Sequence, residues 1–202
     1  MSRSLLPTIS IIDNALSAEL ASAILEYATS HRDDFSPATI HRTGNAGDLE
    51  FRSSMRCKAG LGPFEHAFAA TMERMFPDLC VSTGTAPFTF SELETELVAH
   101  RDGDFYKEHI DIRRAEDGRP EASPRVLTTV WYLNLVPKKF EGGHIRLRAI
   151  VGDETKTIEP IHNRLIAFPA FAPHEVLPTS VPGNAFENAR FAVNCWFRRK
   201  LG

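Results

Sequence analysis

The chain has 202 residues, 43% of them hydrophobic and 24% charged, with net charge −3 and a pI of about 6.2. That length suits one sizeable core, and the acidic balance offers no broad basic field for a phosphate backbone, which argues against a nucleic-acid partner. Three scattered cysteines (Cys57, Cys80, Cys195) with no Cys-x-x-Cys fit neither a disulfide framework nor a cysteine zinc site; they read as isolated thiols in a reducing compartment.

The start, Met1 to Pro7, lacks the long apolar run of a signal peptide, and no uninterrupted apolar stretch could span a bilayer. The expectation is a cytoplasmic protein with no membrane partner. Repeats and low-complexity segments are absent. Oligomeric state is not legible.

Thr8 to Ile12 is a short β-rich run ending at Asp13-Asn14. Ser17 is a fitting N-cap, and Leu20, Ala23, Ile24 and Tyr27 fall at helical spacing, which predicts a helix to about Ser30. A second helix is expected from Pro63, with Phe64, Ala67, Phe68, Thr71, Met72 and Met75 as its apolar stripe and Pro77 as its end. His66 lies off that stripe. Both helices are expected to cover one face of a sheet. Between them, Phe35 to Gly62 reads as a polar loop around Thr43 to Asp48, either solvated surface or a flap over a site.

After Pro87 the period changes to two. Phe88 and Phe90, then Leu93, Thr95, Leu97 and Ala99, alternate with their neighbours, and Asp102-Gly103-Asp104 makes a turn. Residues 113 to 125 read as a second loop. Val126 to Val136 is a long apolar run, as for a strand buried between layers. Turns at Glu141-Gly142-Gly143 and Gly152-Asp153 separate His144–Ala149, Thr157–Ile158 and Leu165–Phe168. Arg190 to Arg198 alternates: Phe191, Val193, Cys195 and Phe197 on one face, Arg190, Ala192, Asn194 and Trp196 on the other. Helices before many short strands predict a mainly β protein with flanking helices (α+β), its β core an all-β barrel or sandwich. A single domain is expected over 1–202, with helical support and a loop in 1–86 and the β core in 87–200.

The pattern that carries chemistry is His109-Ile-Asp111. On an extended strand, residues i and i+2 share a face, so an imidazole and a carboxylate point into one volume. One more histidine would complete a two-His-one-carboxylate triad, which leaves positions open on iron(II). With eight histidines and 26 acidic residues, His-x-Asp/Glu is expected about once by chance. His31-Arg32-Asp33 has the same spacing and is set aside, at the polar end of a helix. Spacing leaves His144, His162 and His174 open as the third member; His174, after the stiff Phe168-Pro-Ala-Phe-Ala-Pro173, is a sensible one.

The order of motifs adds to this. His109-x-Asp111, Tyr132-Leu-Asn134, Gly142-Gly143-His-Ile145-Arg-Leu, Pro160-x-x-Asn-Arg-Leu-Ile-Ala-Phe168, His174-Glu-Val and Arg190-Phe-Ala-Val-Asn194-Cys-Trp196-Phe together resemble the prolyl 4-hydroxylase branch of the iron(II)/2-oxoglutarate dioxygenases, over roughly residues 88 to 198. The resemblance implies a double-stranded β-helix, or jelly-roll barrel. It implies His109, Asp111 and His174 as iron ligands and Arg190 as the partner of the distal carboxylate of 2-oxoglutarate. Tyr132, Asn194 and Ile145 are implied at the cosubstrate pocket, and so is His100, where the animal hypoxia enzymes carry a tyrosine. Tyr106 is either a support or substrate-facing residue, or packed core.

The implied activity is hydroxylation of an unactivated C–H, with a prolyl residue of a protein or peptide as substrate. Iron(II), 2-oxoglutarate and oxygen are the implied cofactors, and ascorbate is admitted as a further one. Two alternatives stay open on the same barrel: hydroxylation of a free amino acid or other small molecule, and a non-catalytic cupin-like metal-binding module. A zinc hydrolase with the same ligands would have no use for Arg190.

Overall fold

The computed structural model describes residues 4–38, 50–112 and 121–200. Of the loops singled out above, the turn-rich centre at 43–48 and most of 113–125 lie outside the described residues.

In chain order the elements are β1 (Ser10–Ile12), α1 (Ala18–Ser30), β2 (Phe35–Pro37), β3 (Arg52–Ser53), β4 (Met55–Cys57), α2 (Glu65–Thr83), β5 (Phe90–His100), β6 (Phe105–His109) and β7 (Arg125–Leu133). There follow β8 (Glu141–Gly142), β9 (Ile145–Arg148), β10 (Thr155–Ile158), β11 (Leu165–Pro169), β12 (His174–Val176), β13 (Thr179–Ser180) and β14 (Arg190–Arg199). A major sheet runs β1-β11-β7-β14-β5-β4-β2, a minor sheet runs β10-β9-β12-β6-β3, and β13 pairs with β8. All pairings are antiparallel. The two sheets face one another as a jelly-roll barrel, as expected.

Ser17 caps α1 by accepting from Leu20 N at 3.2 Å, and the helix ends at Ser30. Its buried face is Ala21, Ile24, Tyr27 and Ala28, so the stripe is rotated slightly from the expected one. Helix α2 corrects the expected stop at Pro77. It continues six residues further, to Thr83, and closes on Gly84 in the left-handed region (φ 66°). Pro77 is exposed, so the carbonyl it leaves unbonded faces water, while Leu79, Cys80 and Thr83 anchor the extra turns in the core.

Both helices cover the outer face of the major sheet. There Ile24, Phe68, Met72 and Leu79 meet Leu97, Trp131, Leu165, Phe191, Val193 and Phe197 in one core. Fully buried side chains of this size contribute about 1.5–3 kcal/mol each by transfer from water. A second, smaller core (Val98, Val130, Tyr132, Ile145, Leu147, Ile166, Phe168, Ala192) fills the space between the sheets. The alternation in β14 therefore sorts as expected, with Phe191, Val193, Cys195 and Phe197 toward the helices and Arg190, Ala192, Asn194 and Trp196 toward the barrel interior.

The stretch read as a loop from Phe35 to Gly62 also holds three short strands. Phe35–Pro37 pairs with Met55–Cys57, which adds to the edge of β5, and Arg52–Ser53 joins the minor sheet beside β6. Their shortness hides them from any periodicity argument. Among the described residues, no helix is long and apolar enough to cross a membrane.

Candidate metal centre and cosubstrate pocket

His109 is the last residue of β6 and His174 the first of β12, and they are direct cross-strand partners. Asp111 lies two residues past the end of β6 rather than on the strand, a correction to the simple i, i+2 picture. Its amide donates to Ala170 O at 2.9 Å, which holds the chain extended past the strand end. Ile110 accordingly points outward, exposed, while Asp111 is buried. Asp111 Oδ1 is 3.8 Å from His109 Nε2, and Oδ2 is 3.6 Å from His174 Nε2. The ligand atoms of the three residues lie within 4.8 Å of one another.

Both imidazoles are set in the tautomer a metal requires. His109 Nδ1 lies 2.8 Å from Lys107 O and His174 Nδ1 2.9 Å from Ala172 O. A carbonyl only accepts, so each Nδ1 carries a proton and each Nε2 is the atom left to face Asp111. Burial, reinforced by repulsion from His174, pushes His109 down to about 3, which keeps that ring neutral. Burial works to raise Asp111, but His174, His109 and the Arg125 guanidinium outweigh it and hold the carboxyl below its usual range. Thr128 Oγ1 donates to Asp111 Oδ2 at 2.7 Å, and Arg125 Nη1 is 4.0 Å from Oδ1. Arg125 is itself fixed by a fork onto Glu94 and by Trp196, whose ring centre is 3.6 Å from its Cζ. Two imidazoles with Nε2 turned inward and a carboxylate on one side of a cavity form the donor set that suits iron(II) with open positions.

The same cavity reaches Arg190, and its wall includes His100, Ile145 and Asn194. Arg190 is 1% exposed, and among the described residues no carboxylate pairs with it. Burial works against its charge. Its Nη1 donates to His100 Nδ1 at 3.2 Å, so His100 carries its proton on Nε2. Burial, with repulsion from Arg190 and Arg52, lowers His100 well below its ordinary pKa and keeps it neutral. Tyr132 lies against Arg190, with Cζ 4.9 Å from the ring centre. Three buried groups here have no hydrogen-bond partner among the described residues: Arg190 Nε, His100 Nε2 and the Tyr132 hydroxyl. All three can donate, so this end of the cavity is built for an acceptor-only group such as a carboxylate. Gly143 makes room for it. A Cβ there would fall 2.6 Å from Arg190 Cδ, and φ is +62°.

The expected site residues lie at the metal cluster (His109, Asp111, His174), against Arg190 (His100, Tyr132) or on the wall of the same cavity (Ile145, Asn194). The rejected pair is elsewhere: His31 and Asp33 are exposed. His144 is not on the cavity wall, and His162 Nδ1 accepts from Asn134 N at 3.3 Å. The sequence reading missed Arg52, Glu96, Arg125 and Thr128, which also line the cavity. Period-two alternation puts Glu94, Glu96 and His100 on one face of β5 with Val98, and that face is the barrel interior. The signal was available, but acidic residues on a strand read as solvent-facing.

A family model described as the 2OG-Fe(II) oxygenase superfamily matches residues 95–198. The chain belongs to that superfamily. An uncharacterized PKHD-type hydroxylase from Synechocystis is 33% identical to this oxygenase over 138 residues, 64% of this chain and 44% of the relative. The chain thus spans less than half the length of that curated relative. Among solved structures, a Pseudomonas putida prolyl-4-hydroxylase has a TM-score of 0.70 at 21% identity, covering 96% of this oxygenase and 94% of that chain. A Trichoplax adhaerens prolyl hydroxylase in complex with a hypoxia inducible factor peptide fragment has a TM-score of 0.70 at 20% identity, covering 95% and 83%. A viral collagen prolyl hydroxylase from Paramecium Bursaria Chlorella virus-1, solved as a 2OG complex, reaches 0.63 at 17% identity, covering 95% and 96%. At these identities the solved structures establish the shared fold. Iron(II) and 2-oxoglutarate are the groups the superfamily description names, and the two ends of the cavity fit them.

Proposed function

We propose that this chain is an iron(II)- and 2-oxoglutarate-dependent dioxygenase. It hydroxylates an unactivated C–H bond, with a prolyl residue in a protein or peptide as its substrate. One oxygen atom goes to the substrate as hydroxyl and the other to succinate, as 2-oxoglutarate loses carbon dioxide. The observation that carries this reading is Arg190: a buried cation with no counter-ion among the described residues, set among donors and opening into the cavity that holds His109, Asp111 and His174.

In this reading His109, Asp111 and His174 hold the iron. When bound, it supplies the activation of oxygen that no side chain provides. The rest is the work of the chain. Arg190 and Tyr132 bind the distal carboxylate of 2-oxoglutarate, and His100 holds the Arg190 fork and donates through Nε2. Ile145 and Asn194 are walls of the same pocket. Thr128 and Arg125 orient Asp111, and the apolar layer of Val130, Ile145 and Val176 limits water. The prolyl substrate is supported by the prolyl hydroxylase fold of the structural neighbours and by the peptide bound to one of them. Three buried free thiols suit a cytoplasmic setting.

The test is the thermal midpoint of anaerobic protein with iron(II), with and without 2-oxoglutarate, in wild type, His174→Ala and Arg190→Ala. A ligand that binds only the folded state raises the midpoint. A metal-dependent rise lost in both variants supports the reading; no rise in wild type removes it. Oxygen-dependent release of succinate, stimulated by proline-containing peptides, then tests the substrate.

A further inference from the structure

The two histidines of the cluster are supported unequally. His174 is in the middle of the minor sheet, paired on both sides by β6 and β9, and its ring meets Phe168 with centroids 4.8 Å apart. His109 ends its strand, and the residue after it is exposed. Beyond the Nδ1 bond to Lys107 O, its ring needs a second support.

The backbone of β6 supplies it. Between the pairs His174↔His109 and Val176↔Tyr106 the register shifts, because β6 spends three residues where β12 spends two. In a regular strand, positions 106 and 109 face opposite sides. The bulge turns them to the same side, which is what such bulges do beside functional sites. Tyr106 consequently lies flat on His109, with ring centroids 3.6 Å apart and planes 20° from parallel.

Tyr106 is backed in turn by its direct cross-strand partner on β3, Arg52. The Arg52 Cζ is 4.8 Å from the Tyr106 ring centre. Arg52 is buried, and it is held by Ser54 Oγ at 2.8 Å and Glu96 Oε2 at 3.0 Å, across to the major sheet. The result is a continuous layer, Glu96–Arg52–Tyr106–His109, tying both sheets to one imidazole.

We propose that Tyr106 and Arg52 are positioning residues for His109: the stack holds the imidazole so that Nε2 points at Asp111 and His174. This rests on the metal-centre reading above. Residues that orient metal ligands cost about 10–100-fold in metal affinity when replaced. A planar ring at position 106 is what the arrangement needs, since the contacts with His109 and Arg52 are made by the ring.

The test is Mn(II) affinity by EPR titration, with thermal midpoints of the metal-free proteins recorded alongside. Tyr106→Leu is expected to weaken Mn(II) binding about tenfold or more, and Tyr106→Phe to bind within about twofold of wild type. Wild-type affinity in Tyr106→Leu overturns the proposal, and so does an equal loss in Tyr106→Phe. Should Tyr106→Leu fail to fold, Arg52→Gln keeps the tyrosine and removes only its backing. Weakened Mn(II) binding there supports the layer, and unchanged binding overturns it. If wild type itself binds no Mn(II), the metal-centre reading falls; if wild type binds and the variants match it, only this inference falls.

Discussion

Arg190 Nη1 lies 3.2 Å from His100 Nδ1, so a buried cation is steadied by a neutral imidazole instead of an anion. A carboxylate in the place of His100 would satisfy Arg190 within the protein and leave nothing for a ligand. Histidine orients the fork and leaves its charge available. Arg190→Met should therefore abolish the rise in thermal midpoint on adding 2-oxoglutarate. The ligand-free variant should melt no lower than wild type, because an unpaired buried charge has been removed. Differential scanning fluorimetry with and without 2-oxoglutarate reads both outcomes.

His100 also makes stability depend on pH. Its folded pKa lies well below the ordinary value of 6.5, so the folded state keeps it neutral where the unfolded chain takes up a proton. Its contribution is fully present above about pH 6.5 and is lost as pH falls below that, with a slope of up to about 1.4 kcal/mol per pH unit for one proton. Melting curves between pH 7.5 and 5.5 should show a smaller loss in His100→Gln than in wild type.

Gly143 is required twice over, by its positive φ and by Arg190. Gly143→Ala should cost about 1–3 kcal/mol in urea unfolding. It should also weaken 2-oxoglutarate binding, because the new methyl displaces the Arg190 stem.

Thr128 acts on Asp111 through the 2.7 Å bond to Oδ2. Thr128→Val keeps the shape and removes the donor. Mn(II) affinity should fall about tenfold. Reversing the logic, Thr128→Ser should retain most of it.

The three cysteines are buried and free, and burial pushes the Cys195 thiol up to about 12. A thiol reagent at pH 8 should count none in the native protein and three after denaturation.

Much of this was legible beforehand because it depends on local period and local chemistry. The i, i+2 alternation of β14 placed Arg190 and Asn194 opposite Phe191 and Val193, and Ser17 announced the start of α1. Helix α2 was misread at Pro77 because the cost of a proline depends on whether the freed carbonyl meets water, and exposure is a tertiary property. Arg52 was grouped with a polar loop, since a two-residue strand has no period to read.

What the sequence determined by itself was the His109-x-Asp111 pair and an alternating last strand with Arg190 on the face opposite Phe191 and Val193; the third histidine and the jelly-roll came from the family resemblance. Tertiary structure alone decided how these groups are aimed. Whether Glu96 faces water or Arg52 depends on two sheets packing face to face, which brings together residues 44 positions apart. Whether Tyr106 meets His109 depends on a bulge that only the pairing with β12 creates. Side-chain type is local, but burial, register and the partner of a buried charge are set by segments far away in the chain.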